Sequence, residues 1–177
     1  MILLLSKTHI YLFVYFSDLR LPSVSVREKN ILQVFETWGP EYKIEFDITV
    51  TRFAEGEDWF TNVFCFTRKE DDGIRIPSFM IDNENAKFMI DEQQIKNTLN
   101  HWNFPIDLNK KYHFEIQTSL PQLDGPNLYT FKVLVDRELK LEKDFRKNKK
   151  PLNAVLYASN DLSPSFRGSL ENFTVMS

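Results

Sequence analysis

The chain contains little cysteine and little glycine, and each shortage excludes a class of protein. Cys65 is the single cysteine among 177 residues, so the chain forms no internal disulfide and carries no paired-cysteine zinc motif. It lies between Phe64 and Phe66, and this apolar setting predicts a buried, unreactive thiol. Only 5 glycines are present, which excludes a collagen-like chain and a glycine-rich phosphate-binding loop.

Long apolar runs and a broad positive charge are also missing. No stretch approaches the roughly 18 apolar residues that a membrane span requires, so no membrane span is expected. The formal net charge is -3 at pH 7, which provides no field for a nucleic-acid backbone. The one strongly basic run, 146–150, is interpreted as a solvated hairpin tip, because such charge blocks usually face water.

The chain is instead rich in phenylalanine and in alternating patterns. It contains 16 phenylalanines, and aromatic residues suit the pleated surface of strands. Apolar residues alternate with polar ones along 42–50, 112–117 and 129–135, and a period of two sends one set of side chains into a core and the other into solvent. Roughly ten or eleven short strands separated by turn signals predict an all-β fold, a two-sheet antiparallel β-sandwich.

Some segments depart from simple alternation. Residues 59–66 have apolar side chains on both faces, which predicts a central strand covered on each side. Pro77 lacks a backbone donor and predicts a strand edge or a bulge. In 168–175 the apolar spacing changes from three to two, which predicts a bulge in the last strand. Residues 70–73 are expected to form a turn, and 91–102 a loop or one short helix.

The N-terminal segment resembles a secretory signal peptide. A lysine lies near its start, a short apolar block occupies 10–16, and small residues at 23–25 suit a signal peptidase. A first β-strand of the domain is the alternative. We therefore predict a leader over 1–25, a single lectin-like domain over 26–177, and a secreted, extracellular protein.

Five short motifs follow one another in a characteristic order: Trp38-Gly39-Pro40-Glu41-Tyr42, Arg75-Ile76-Pro77, Leu108-Asn109-Lys110-Lys111-Tyr112, Val155-Leu156-Tyr157-Ala158-Ser159 and Gly168-Ser169-Leu170-Glu171-Asn172-Phe173. Their order resembles the concanavalin A-like lectin/glucanase superfamily over residues 30–176, and within it the laminin-G and pentraxin-like modules. The resemblance implies a jelly-roll sandwich. It also implies that a concave sheet and rim loops bind glycans or protein partners, often around a calcium ion.

Glycoside hydrolysis is one activity that the resemblance raises. Glucanases of the superfamily carry two acids at alternate positions of one strand and a third acid further on. Glu45 and Asp47 resemble the first two positions, but Thr49 and Val50 stand where the third acid is expected. Hydrolysis needs both a nucleophile and a general acid, so we predict no catalytic residues and no enzymatic activity.

Calcium binding would require oxygen ligands from several loops. Asp71 and Asp72 lie in one expected turn, and Asp161 follows Asn160 in another. Acidic turns also form for conformational reasons alone. The sequence therefore predicts no obligatory cofactor, with calcium at Asp71, Asp72 and Asp161 as an option.

Carbohydrate recognition would use aromatic rings beside hydrogen-bonding side chains. The sequence offers Trp59 with Asn62, His101 with Trp102, and a rim at Asn160 and Asp161. The alternative, which is the commoner role of a tryptophan, is that each of them belongs to the core. His113 lies on the polar side of a strand pattern and is expected to face solvent.

These observations predict a secreted, non-enzymatic recognition module with a lectin-like fold. The expected partner is a glycan or a glycoprotein surface, with no nucleic acid. The alternative is a protein–protein adhesion or structural interaction domain of an extracellular protein, and a glucanase-type hydrolase is a more distant third.

Overall fold

The computed structural model describes residues 19–24, 30–39, 41–53, 60–68, 71–91, 102–119, 128–146, 152–158 and 166–177. These residues form twelve β-strands: β1 Leu19–Val24, β2 Asn30–Trp38, β3 Tyr42–Arg52, β4 Phe60–Arg68, β5 Asp71–Asp82, β6 Lys87–Asp91, β7 Trp102–Pro105, β8 Lys111–Ser119, β9 Leu128–Val135, β10 Glu138–Arg146, β11 Leu152–Ala158 and β12 Arg167–Met176. In the described ranges no helix is long and apolar enough to cross a membrane.

The strands form two antiparallel sheets of six strands each. The first sheet has the order β1-β12-β3-β8-β9-β10, and the second has the order β2-β11-β4-β5-β6-β7. Neighbours in each sheet are often distant in sequence, as β12 and β3 are, so the chain crosses repeatedly between the sheets. The predicted all-β, two-sheet antiparallel β-sandwich is confirmed.

The centre of the first sheet follows the predicted alternation. In β3 every second residue from Tyr42 to Val50 is buried, and the residues between them are only partly buried. In β8 the same alternation buries Tyr112, Phe114, Ile116 and Thr118. One side of this sheet therefore faces the core, and the other side presents polar groups to solvent.

The core is aromatic and is shared by the two sheets. The Phe46 ring centroid of the first sheet lies 5.2 Å from Phe64 and 4.9 Å from Phe79, both of the second sheet. It also lies 5.4 Å from Phe114 and 6.1 Å from Phe173 in its own sheet. These separations fall in the range of favourable aromatic pairs, so Phe46 joins the two layers at their centre.

The second sheet is buried on both faces at its centre, as predicted for the strand near Cys65. Every residue of β4 from Thr61 to Thr67 is buried. Met80 of β5 is 5% exposed although it lies outside the core cluster to which Phe79 and Ile81 belong. Successive side chains of a strand alternate in direction, so Met80 is buried on the side away from the first sheet.

The predicted bulge in β12 is present, and of the two alternatives predicted at Pro77, an edge or a bulge, the structure has a bulge. The register of β12 against β3 shifts between Glu171 and Thr174, and Asn172 within that interval has a φ of 49°. The register of β5 against β4 shifts beside Pro77, between the pairs made by Ser78 and Arg75. In each case one extra residue resets which side chains face the core.

Two boundaries differ from the sequence interpretation. Asp71 and Asp72 begin strand β5 instead of lying in a turn, because Asp71 already pairs with Arg68 of β4. Leu19–Val24, assigned to the leader, form β1 and pair with β12. Six leader residues thus lie in the sandwich, as the alternative interpretation has it, and cleavage of a leader stays a prediction.

Other expectations fall on residues without a description. Residues 92–101, expected to form a loop or a helix, lie outside the described ranges. The same holds for 147–150, most of the basic run. Strand β7 begins at Trp102, directly after residues 92–101.

Candidate functional site

The polar face of the first sheet consists of the outward side chains of β3, β8 and the neighbouring part of β12: Lys43, Glu45, Asp47, Lys111, His113, Glu115 and Glu171. The antiparallel register sets Asp47 directly opposite His113, and Glu45 opposite Glu115. Directly opposed side chains on one face are close enough to interact. The sequence pattern on two separate strands thereby becomes one connected surface.

Asp47 lies at the centre of this face and accepts three hydrogen bonds. Its Oδ1 is 2.8 Å from His113 Nδ1, and its Oδ2 accepts from Asn172 Nδ2 at 2.7 Å. Lys111 Nζ lies 3.2 Å from the same Oδ2 and 2.8 Å from Glu171 Oε2. The carboxylate is thus held from the two strands that flank β3, β8 and β12, and its side chain is only 15% exposed.

The surroundings of Asp47 keep it ionised. Partial burial by itself would raise the pKa of Asp47, but the hydrogen bonds from His113, Asn172 and Lys111 together lower it. An ionised carboxylate only accepts hydrogen bonds, so His113 Nδ1 must carry a proton toward it. The carboxylate therefore orients the imidazole and leaves Nε2 as the ring nitrogen that a ligand could contact.

The β12 bulge explains how Asn172 reaches Asp47. Asn172 has a φ of 49°, a left-handed conformation that asparagine tolerates better than most residues. Earlier in the strand, Gly168 allows close contact with β3, since a Cβ there would lie 1.9 Å from the backbone oxygen of Thr49. The local sequence of β12 thus fits it against the edge of the site.

The turn between β9 and β10 forms the other side of the site. Its two residues, Asp136 and Arg137, have φ values of 52° and 68°, the combination of a tight hairpin turn that matches the strand twist. Asp136 N donates to His113 O at 2.8 Å, and His113 N donates to Asp136 Oδ1 at 2.9 Å. The turn is therefore fixed against β8 beside the imidazole.

A cavity of about 440 Å³ opens here, lined by Asp47, His113, Asp136 and Arg137. Small-molecule sites commonly have volumes of a few hundred Å³. The lining combines a guanidinium donor, carboxylate acceptors and an imidazole whose direction is fixed. This arrangement suits a ligand rich in hydroxyl groups, which both donate and accept.

A second cluster of charged side chains, Lys43, Glu45 and Glu115, lies on the same face beside the cavity. Lys43 Nζ is 2.8 Å from Glu45 Oε1 and 3.0 Å from Glu115 Oε2. Burial opposes ionisation of Glu45, but its hydrogen bond with Lys43 contributes to a lowered pKa. Burial likewise opposes ionisation of Lys43, and its bonds with the two glutamates raise its pKa. Lys43 and Glu45 thus stabilise each other's charge.

The predicted carbohydrate-binding residues with described side chains do not meet. Asn62 is fully buried in β4 and therefore offers no surface to a ligand arriving from solvent. Trp102 of β7 is partly buried against the core, and its ring stacks on Phe104 with centroids 5.8 Å apart. Strands β5 and β6 separate β4 from β7, a distance of about 14 Å at the usual strand spacing.

The remaining predicted site residues are not tested by the structure. Trp59, His101, Asn160 and Asp161 lie outside the described residues, and only the backbone of Asp71 and Asp72 is described. Within the described part of the chain, no group of three or more histidine, cysteine, aspartate or glutamate side chains could hold a metal ion. Calcium binding at Asp71, Asp72 and Asp161 stays a prediction.

The sequence interpretation of His113 was incomplete. Its side chain is 41% exposed, so it does reach solvent, but Asp47 binds it. These residues are 66 positions apart, and alternation alone cannot indicate which strands become neighbours. The other two residues of the cavity lining, Asp136 and Arg137, lie in a tight turn between two alternating runs, and that turn is the local feature of the sequence that could have indicated them.

Comparisons with known proteins identify the fold. No protein-family model and no curated protein sequence matches the chain. Among solved structures, a native heptameric SAP-like pentraxin from Limulus polyphemus is similar with a TM-score of 0.54 and 13% identity, over 89% of this chain and 74% of that chain. A sialidase from Trypanosoma rangeli, in complex with 2,3-difluorosialic acid, has a TM-score of 0.56 and 10% identity, over 89% and 27%.

A third similar structure is the binding domain of botulinum neurotoxin DC in complex with SialylT, with a TM-score of 0.53 and 11% identity, over 76% of this chain and 31% of that chain. The chain thus spans less than a third of the toxin and sialidase chains. These matches confirm the concanavalin A-like jelly-roll fold. The closer likeness to laminin-G modules stays a prediction.

Proposed function

We propose that this protein is a non-enzymatic carbohydrate-recognition module that binds its ligand in the cavity on the polar face. The observation that carries the proposal is the His113 imidazole, oriented by Asp47 and open to a cavity that Asp136 and Arg137 complete. Sugar hydroxyls need donors and acceptors held in fixed directions. Here strand pairing and a tight turn supply that fixed geometry.

The similar structures support this proposal without deciding it. One of them is a toxin binding domain in complex with SialylT, and another is a sialidase in complex with a sialic acid derivative. Folds host unrelated functions, so the argument for a glycan depends on the cavity of this chain.

A non-enzymatic role agrees with the charges of the polar face. A glycosidase needs one carboxyl group that is still protonated near neutral pH. The pKa values of Glu45 and Asp47 are both lowered, for the reasons given above, so neither is suited to be that acid. We expect no reducing sugar from β-glucans, and release that Glu45→Gln abolishes would contradict this part of the proposal.

A glycan array with the purified full chain tests the binding. We expect His113→Ala to weaken binding of whichever glycan is retained by about tenfold, the size of a well-formed hydrogen-bonding contact to a charged or oriented group. Gln117→Ala is the matched control, because Gln117 faces outward from the same strand without lining the cavity. Equal affinity of both variants and the parent chain would exclude this site.

A protein-binding role is the second candidate, and the edge of the second sheet favours it. Strand β2 is an edge strand, and its Ile31 and Val34 side chains are 55% and 45% exposed. Exposed apolar groups on a sheet edge are suited to strand addition by a partner. Binding to a glycoprotein that survives removal of its glycans and is lost in Ile31→Lys would favour this role.

We also propose that the protein is exported. The apolar block at 10–16 and the small residues at 23–25 support this, and the position of β1 adds a condition. Cleavage after residue 25 would remove β1 from the first sheet, whereas cleavage before Leu19 would retain it. N-terminal sequencing of protein secreted by an expressing eukaryotic cell distinguishes the two, and complete retention in the cytosol would contradict export.

A further inference from the structure

The Arg137 guanidinium is a positive charge that no described side chain pairs with. Arg137 lines the cavity, is exposed, and forms no ion pair or side-chain hydrogen bond with the described residues. Its backbone is nevertheless fixed, because the neighbouring Asp136 exchanges two hydrogen bonds with His113. A guanidinium on an anchored turn can bind a ligand with little loss of backbone freedom.

Among the described residues, the charge of Asp47 beside the cavity is already paired. The Asp47 carboxylate accepts from His113, Asn172 and Lys111, and Lys111 also pairs with Glu171. One oxygen of Asp136 accepts from the backbone of His113. Within the part of the chain that the structure describes, the cavity therefore presents one cation without an ion-pair partner, the oriented imidazole, and a carboxylate oxygen of Asp136 that can accept from a hydroxyl.

This set of groups matches a sugar that carries a carboxylate. The guanidinium is planar and forms paired hydrogen bonds with a carboxylate in a fixed geometry. Asp136 and the imidazole can contact the hydroxyl groups on the ring of the same sugar. We propose, on the basis of the carbohydrate-binding function proposed above, that the cavity selects a carboxylate-bearing saccharide and that Arg137 determines this selectivity.

A singly charged carboxylate fits better than a phosphate. A phosphate monoester carries up to two negative charges at neutral pH, and it would lie beside the ionised Asp47 and near Asp136. A single guanidinium cannot balance both a dianion and the Asp136 carboxylate, which forms no ion pair with the described residues. A sulfated sugar is singly charged, so the experiment must separate sulfate from carboxylate.

The experiment is isothermal titration calorimetry of the full chain with four probes: glucuronic acid, its methyl ester, glucose and glucose 6-sulfate. The methyl ester keeps the shape of the acid and removes its charge. We expect the acid to bind about tenfold more tightly than the ester, which is the size of one charge-assisted pair. We expect the sulfate to bind no more tightly than the ester.

Arg137→Asn is the decisive variant. Asparagine tolerates the positive φ of this turn position, so the variant removes the charge and keeps the hairpin, which a thermal melt checks. It should bind acid and ester equally. Arg20→Asn is the matched control, because Arg20 is an exposed arginine of edge strand β1 outside the cavity lining; it should retain the tenfold preference.

The outcomes separate this inference from the proposed function. Equal binding of acid, ester and glucose by the parent chain would overturn the carboxylate selectivity while leaving carbohydrate binding intact. A preference that persists in Arg137→Asn, or an equal preference for the sulfate, would also overturn it. If no probe binds and no glycan is retained on an array, the proposed function itself fails, and the inference fails with it.

Discussion

Strands β3 and β4 face each other across the core but differ on their outer sides. In β3 the residues that alternate with the buried ones are partly exposed. Two of them form ion pairs, Glu45 with Lys43 and Asp47 with Lys111. In β4 the whole run from Thr61 to Thr67 is buried. The first sheet therefore has one face buried in the core and one polar face, whereas the centre of the second sheet is buried on both faces.

This difference indicates where a ligand can bind without disturbing the fold. A side chain of the polar face can change with little effect on the core, because the inward residues of the same strand hold the sheets together. A buried side chain of β4 has no such freedom, since any change alters packing. Substitutions at outward positions of β3 should therefore change ligand binding with little change in stability, whereas substitutions in β4 should change stability.

The sharpest test uses two neighbouring residues of β3. Phe46 is fully buried and contacts aromatic rings of both sheets, so Phe46→Ala should lower the free energy of unfolding by about 3–5 kcal/mol. Asp47→Ala should lower it by only about 1 kcal/mol, because it removes a partly exposed ion-pair partner. Urea denaturation followed by circular dichroism measures both values.

The two variants should differ in the opposite order in their ligand affinity. Asp47→Ala frees the imidazole of His113 and should weaken the glycan affinity of a folded protein by up to about tenfold, the loss expected for His113→Ala. Phe46→Ala should retain affinity in whatever fraction remains folded. A comparable loss of stability in both variants would show that the outer side of β3 is as structural as its inner side.

The sequence predicted the layers of this molecule better than its site. Alternation along 42–50 and 112–117 correctly indicated half-buried strands, because burial on one face leaves a period of two. The apolar spacing near Phe173 indicated the β12 bulge for the same reason. These properties depend on local side-chain direction, so they can be inferred from consecutive residues.

The site could not be inferred in the same way. The Asp47 to His113 contact depends on which strands pair and in which register, over 66 positions. Strand order in a sheet with crossovers is not encoded in any single run of residues. Asn62 shows the converse error, since a polar side chain beside a tryptophan suggested a sugar contact but is fully buried.

A second prediction tests the structural character of β4. Cys65 is fully buried, and its Sγ lies 3.6 Å from Phe66 O. Cys65→Ser places a more polar group at a buried position and should lower the free energy of unfolding by about 1–3 kcal/mol. The native thiol should also react with a thiol reagent only after unfolding.

The matched control for Cys65→Ser is Gln117→Ala, at an outward position of β8, which should change stability by less than about 0.5 kcal/mol. Rapid thiol labelling of the native protein, or equal stability of the serine variant, would mean that the outer side of β4 is accessible. In that case the contrast between the two sheets would be lost.

The smallest expected effect is a pH dependence that arises from the polar face. The lowered pKa values of Glu45 and Asp47 mean that the folded state holds these carboxylates ionised. Their contribution is complete above their ordinary values of 4.5 and 3.8 and is lost as the pH falls through the lower folded-state values. Stability should therefore be steady near neutral pH and decline in acid.

Asp47→Asn isolates one part of that decline. The amide cannot titrate, so this variant should start less stable at neutral pH and then lose less stability than the parent chain as the pH falls below about 4. Urea denaturation at a series of pH values measures the slope. Parallel curves for the two proteins would mean that the hydrogen bonds to Asp47 leave its ionisation unchanged on folding, and the carboxylate would then not be what orients His113.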